Sequence, residues 1–149
     1  MKTGELKLSV PSDAVMQLLE QLYLSEMAGL NRYLHYSFMI MGHNRIPIQG
    51  WFRGQASESM AHAIVLGEKI TSYGGHPPMV TPHLEETNLH TVDAILRECL
   101  QHEESALDLY RKLARAAGDD MALEELARGM VRSETEHVDE VKKMLRSPR

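Results

Sequence analysis

Apolar residues recur every three to four positions along four long stretches of this chain, a period that predicts helices rather than strands. Val10-Pro11-Ser12-Asp13 reads as a helix start. From there Val15, Leu19, Leu22, Leu30 and Tyr33 share one face to about Met41. Gly42, Asn44 and Pro47 break the run, and a second extends from about Ile48 to Tyr73, where Gly74-Gly75 stops it. Residues 76–90 hold three prolines and no sustained period, so they read as a loop. Helical spacing returns through Ile95, Leu96, Cys99, Leu107, Tyr110 and Leu113, ends at Gly118-Asp119-Asp120, and resumes from Met121 to Leu145. The reading is one all-α domain over residues 1–149, with helices at about 12–41, 48–73, 91–117 and 121–145.

Two short turns make two antiparallel helix hairpins. The loop between them is long for a compact domain and is expected to cross the bundle lengthwise, so that the second and third helices run parallel. An up-down-up-down bundle is the competing topology.

Several charged residues interrupt these apolar stripes. Glu26 sits between Leu22 and Leu30, each four residues away, and Glu103 sits likewise between Cys99 and Leu107. Glu134 and His137 are three residues apart on the face that carries Leu123, Ala127, Met130, Val141 and Leu145. On the second helix His62 precedes Val65 and Leu66, with Glu58 one turn earlier. Taken singly, each has an ordinary explanation. An acid can pair with Arg32 or Arg97, and a core histidine can find a hydrogen bond. Together they lie near mid-helix, and mid-helix residues meet in one layer whichever way the helices run. Four carboxylates and two imidazoles in one layer suit two adjacent iron ions, with carboxylates bridging and imidazoles in terminal positions. Tyr33 and Tyr110, each seven residues after an inward acid, read as core packing, or as hydrogen-bond donors to those acids. His35, His43, His76, His83, His90 and His102 have no partner at that depth and are expected on the surface or in loops.

Composition narrows the alternatives. The formal charge is −5 and no Lys/Arg cluster is present, so nucleic-acid binding lacks its electrostatic footprint. Cys99 is the only cysteine, which excludes an internal disulfide and a thiolate-only metal site. The opening MKTGELKLSVP has no apolar signal core, and no stretch approaches the ~20 apolar residues that span a bilayer. A soluble protein of the cytoplasm, without membrane or nucleic-acid partners, is the expectation.

SEMAGLNRYLHYS, SMAHA, HEESALDLYRKL and SETEHVDEV, one in each helix, together resemble bacterioferritin and its ferritin-like relatives. The resemblance covers nearly the whole chain. It implies a ferritin-like four-helix bundle with one long crossover between helices 2 and 3. It also implies a di-iron centre held by Glu26, His62, Glu103, Glu134 and His137; Glu58, four residues before His62 and about 40° from its inward direction, can reach the layer as a further ligand. Met60 aligns with the methionine that holds haem between two bacterioferritin subunits. The activity implied is a ferroxidase: Fe(II) oxidised by dioxygen or hydrogen peroxide, for iron storage or detoxification. Two positions depart from the pattern. Ser59 stands where the family has the acid of the second-helix Glu-x-x-His. Only residues 138–149 follow His137, whereas bacterioferritin cages carry a further short helix there. The expected homo-oligomer therefore ranges from a dimer to a larger cage. The alternative function is a ferritin-like binding or assembly protein with a degenerate or non-iron metal site. A di-metal oxygenase is the weaker third reading, since little length is left to build a substrate channel.

Overall fold

The computed structural model describes residues 10–148. Four helices account for most of them: α1 (Asp13–Met39), α2 (Arg45–Ser72), α3 (Val92–Ala116) and α4 (Met121–Leu145). At 25 to 28 residues each, they are ~38–42 Å long.

Three helices start as the cap residues dictate. The Ser12 hydroxyl accepts from the Val15 amide at 3.3 Å, the Thr91 hydroxyl from Ala94 at 3.2 Å, and the Asp120 carboxylate from Leu123 at 3.0 Å. Helix α2 corrects the sequence reading, for it begins at Arg45, not Ile48. Pro47 lies in the first turn, where its missing N–H is one of the amides that have no helical partner anyway. Helix α1 in turn ends at Met39, two residues short of the expected Met41. The turn between α3 and α4 contains Gly118 at φ +58°, a left-handed conformation that glycine adopts without a Cβ clash.

Which ends meet decides the topology. The Tyr73 hydroxyl, at the end of α2, donates to Asp120 at the start of α4, 2.6 Å away. The end of α2 therefore lies beside the α3–α4 turn. Helices α2 and α3 run parallel, and residues 73–91 travel the length of the bundle between them. The up-down-up-down alternative is excluded.

The interior has two apolar compartments. One joins Val15, Leu19 and Leu22 to Leu66, Ile70, Tyr110, Leu113, Leu123 and Ala127. The other joins Tyr33, Tyr36 and Ile40 to Phe52, Ala56, Ile95, Leu96, Cys99 and Val141. Between them lies a polar layer. Glu26, Glu103 and Glu134 are 2–4% exposed, as deep as the leucines above and below them. Among the described residues no helix is long and apolar enough to cross a membrane.

Candidate metal centre

Each helix delivers its polar residue by the same arithmetic: a residue inside an apolar stripe of period 3.6 goes wherever the stripe goes. Glu26 of α1 and Glu103 of α3 thus face Glu134 of α4. His62 of α2 reaches across, with its Nδ1 3.2 Å from Glu26 Oε1 and 3.4 Å from Glu134 Oε1. His137 Nδ1 lies 3.6 Å from Glu134 Oε2 and 3.8 Å from Glu103 Oε2. Two trios result, Glu26/His62/Glu134 and Glu103/Glu134/His137, and in each the ligand atoms lie within 4.8 Å of one another. Glu134 belongs to both.

Two tyrosines brace the layer reciprocally. Tyr110 of α3 donates its hydroxyl to Glu26 Oε1 of α1 at 2.6 Å, and Tyr33 of α1 donates to Glu103 Oε1 of α3. Both phenols are essentially buried. The two α-hairpins are thus related by an approximate two-fold: Glu26 matches Glu103, Tyr33 matches Tyr110, and His62 matches His137.

The symmetry fails at one pair of positions. Helix α2 has Glu58-Ser59 where α4 has Ser133-Glu134. Glu134 faces inward, and its counterpart Ser59 is a buried hydroxyl. Glu58, with a side chain 37% exposed, stands on the outer side of both imidazoles, 2.9 Å from His137 Nε2 and 3.8 Å from His62 Nε2. The Ser133 hydroxyl donates to its other edge at 3.0 Å. Glu58 therefore lies outside both trios. A carboxylate on the far nitrogen fixes the tautomer that leaves Nδ1 turned inward. Neither Ser133 nor this arrangement was anticipated. Superposing the Glu58–His62 and Ser133–His137 segments of the two hairpins is the signal that could have found it.

Burial and proximity set the charges here. Burial raises the Glu26 carboxyl pKa, and the Glu134 charge adds to this. Burial likewise takes Glu103 up to about 9, again with Glu134 contributing. Glu134 goes the opposite way. Burial alone would raise it, but the His137 and His62 imidazoles hold it ionised, below the usual carboxylate range. The imidazoles follow suit: burial opposes their charge, yet the facing acids carry His62 up to about 10 and His137 to about 11.

Glu134 Oε2 is buried and accepts no hydrogen bond. A bare carboxylate oxygen at this depth is costly unless a cation meets it. Carboxylate oxygens and imidazole nitrogens form a donor set that suits Fe(II) and similar divalent ions. The residues therefore fit a pair of such ions, with Glu134 able to contact both.

The other sequence candidates separate. Met60 lies outside the layer, 49% exposed, in a groove between α1 and α2 with Tyr23, Met27, Leu30 and Ile64. His102, expected on the surface, is half-buried instead. It stands edge-on to Tyr33, with ring centroids 6.5 Å apart, against the bare backbone of Gly29. Burial, with Arg32 nearby, pushes its pKa down to about 4 and keeps it neutral. Neither Arg32 nor Arg97 pairs with the interior acids, so the ordinary explanation for them does not hold.

A four-helix bundle with a lengthwise crossover and a mid-bundle layer of carboxylates and imidazoles defines a class of carboxylate-bridged metal proteins. The chain belongs to the ferritin family, described as the ferritin-like domain, which matches residues 16–149. Its fold is similar to a solved structure from Bacillus anthracis str. Ames, described as ferritin like, diiron-carboxylate proteins. The TM-score is 0.84 at 24% identity, over 91% of this chain and 99% of that one. No curated protein matches it.

Proposed function

We propose that this chain binds two iron ions in the interior layer and oxidises Fe(II) to Fe(III), as a bacterioferritin-like ferroxidase serving iron storage or detoxification. The observation that carries the reading is Glu134, shared by two carboxylate/imidazole trios and holding one buried oxygen without a hydrogen bond. The diiron-carboxylate title of the similar Bacillus anthracis structure points the same way. Fe(II) is the substrate. Two ions give up one electron each. With two protons, those electrons reduce dioxygen to hydrogen peroxide, or hydrogen peroxide to two water molecules.

The residues divide the work by position. Glu26 and His62 hold one ion and Glu103 and His137 the other, with Glu134 between them. Tyr110 and Tyr33 hold the Glu26 and Glu103 carboxylates in place by hydrogen bonds. Glu58 orients the imidazoles from behind. Fe(II) persists in a reducing compartment, and the reading assigns the activity to the cytoplasm. Assembly of copies through the α1–α2 face, with haem held by the exposed Met60, belongs to the same bacterioferritin-like reading.

Ser59 favours a second reading. A hydroxyl in place of an interior acid weakens one side of the layer, as expected of a ferritin-like assembly protein with little turnover. The test is to mix metal-free protein with Fe(II) in air and follow ferric absorbance. The first reading expects a rate well above buffer, lost in Glu134→Ala. Equal rates for buffer, parent and variant would leave the assembly reading.

A further inference from the structure

A second constellation of metal-ligand type lies far from the interior layer. His35, on the exposed side of α1, is nine residues beyond Glu26, or ~14 Å along the helix. Across from it, the end of the crossover presents Glu86 and His90. Glu86 Oε1 is 2.8 Å from His35 Nε2 and 3.1 Å from His90 Nε2. The three ligand atoms all lie within 4.8 Å of one another. We propose that His35, Glu86 and His90 form a surface site for one divalent transition-metal ion of the zinc class, clamping the crossover to α1.

Three observations support a built site rather than a chance encounter. First, the composition is two imidazoles and one carboxylate, a donor set that borderline divalent ions prefer and that hard calcium does not. Tetrahedral zinc with ligands at ~2.1 Å sets its ligand atoms ~3.4 Å apart. Second, the loop is held in place independently of these residues. The Thr87 amide donates to Glu98 of α3 at 3.1 Å, the Thr87 hydroxyl donates to the same carboxylate, and Arg32 of α1 donates to the Glu85 carbonyl at 3.0 Å. Asn88, between Glu86 and His90, takes a left-handed φ of 59°. Third, the side chains are 34–44% exposed, so an ion can enter and a water molecule can complete its coordination.

In this arrangement both imidazoles compete for one oxygen of Glu86. An ion satisfies all three groups at once, taking the place of the protons that bridge them. The site joins two segments that are distant in sequence, so occupancy restrains the crossover. The inference stands apart from the ferroxidase reading, since none of its ligands belongs to the interior trios.

The experiment uses metal-free full-length protein and Zn(II). Calorimetric titration of the parent should count one more zinc equivalent than His35→Ala/His90→Ala, and each single variant should bind that equivalent at least about tenfold more weakly. The same loss on a Glu134→Gln background separates it from the interior sites. Anomalous diffraction from zinc-soaked parent crystals should place a peak between the three side chains. Equal zinc counts in parent and double variant, or no peak at saturating zinc, would overturn the proposal, whatever the iron assay shows.

Discussion

The sharing of Glu134 has a consequence that single substitutions expose. Glu26→Gln, Glu103→Gln and Glu134→Gln each keep the side-chain volume and remove one carboxylate that would face an ion once the ion has displaced the cluster's protons. Glu26 serves only the trio with His62, and Glu103 only the trio with His137; Glu134 serves both. All three carboxylates are 2–4% exposed, so the loss is felt at low dielectric with little water to compensate. Breaking a buried charge pair by removing one partner costs about 3–5 kcal/mol. At about 1.4 kcal/mol per tenfold, that is a hundredfold to several thousandfold in affinity. Anaerobic titration with Co(II), a spectroscopic stand-in for Fe(II), followed by visible absorbance and calorimetry, should then give a pattern. The parent takes up two ions in the interior. Glu26→Gln and Glu103→Gln each keep one near parental affinity and lose the other, while Glu134→Gln weakens both. Circular dichroism confirms that each variant is folded, which the isosteric exchange favours. The reasoning fails if Glu134→Gln loses only one ion, or if Glu26→Gln removes both.

Two further predictions concern how the bundle is held. Gly29→Ala would set a Cβ 2.9 Å from both His102 Nε2 and Ser59 Oγ. Urea unfolding should show a loss of about 1–3 kcal/mol from overpacking, and an unchanged midpoint would mean that α1 does not approach its neighbours this closely. Asp120→Ala removes the cap of α4 and the acceptor for Tyr73, costing about 1 kcal/mol for the cap. The Tyr73 hydroxyl, then the Leu123 amide, hold the Asp120 pKa below its ordinary value of 3.8. Its contribution is therefore complete above that value and lost as pH falls through the lower folded one. Thermal midpoints of parent and variant should differ fully at pH 7 and converge well below pH 4; a gap independent of pH would refute the assignment.

Much of this was legible from the chain alone, because helical stripes act locally. A residue flanked by apolar side chains four positions away shares their burial, so Glu26, Glu103 and Glu134 could be assigned to the interior before any tertiary contact was known. The resemblance in the four helix motifs likewise pointed to the family that the comparison identifies. The local patterns for the first three helix starts were less even. Ser12 caps α1 as read, Thr91 caps α3 without having been singled out, and Pro47 misled the reading because proline breaks a helix interior but is harmless in a first turn.

Relations between helices were not legible. Periodicity orients a side chain about its own axis, but it says nothing of what waits on the facing helix. Only the packed bundle made Glu134 common to two trios, crossed Tyr33 to Glu103 and Tyr110 to Glu26, and turned Glu58 to the outer nitrogens of both histidines. His102 was expected on the surface because no partner lay at its depth in the acid layer. It became half-buried where the missing side chain of Gly29 leaves room for it. Distance in sequence hid His35 from Glu86 and His90 in the same way. Their meeting required the crossover to run along α1, where Arg32 holds the Glu85 carbonyl and Glu98 of α3 holds Thr87.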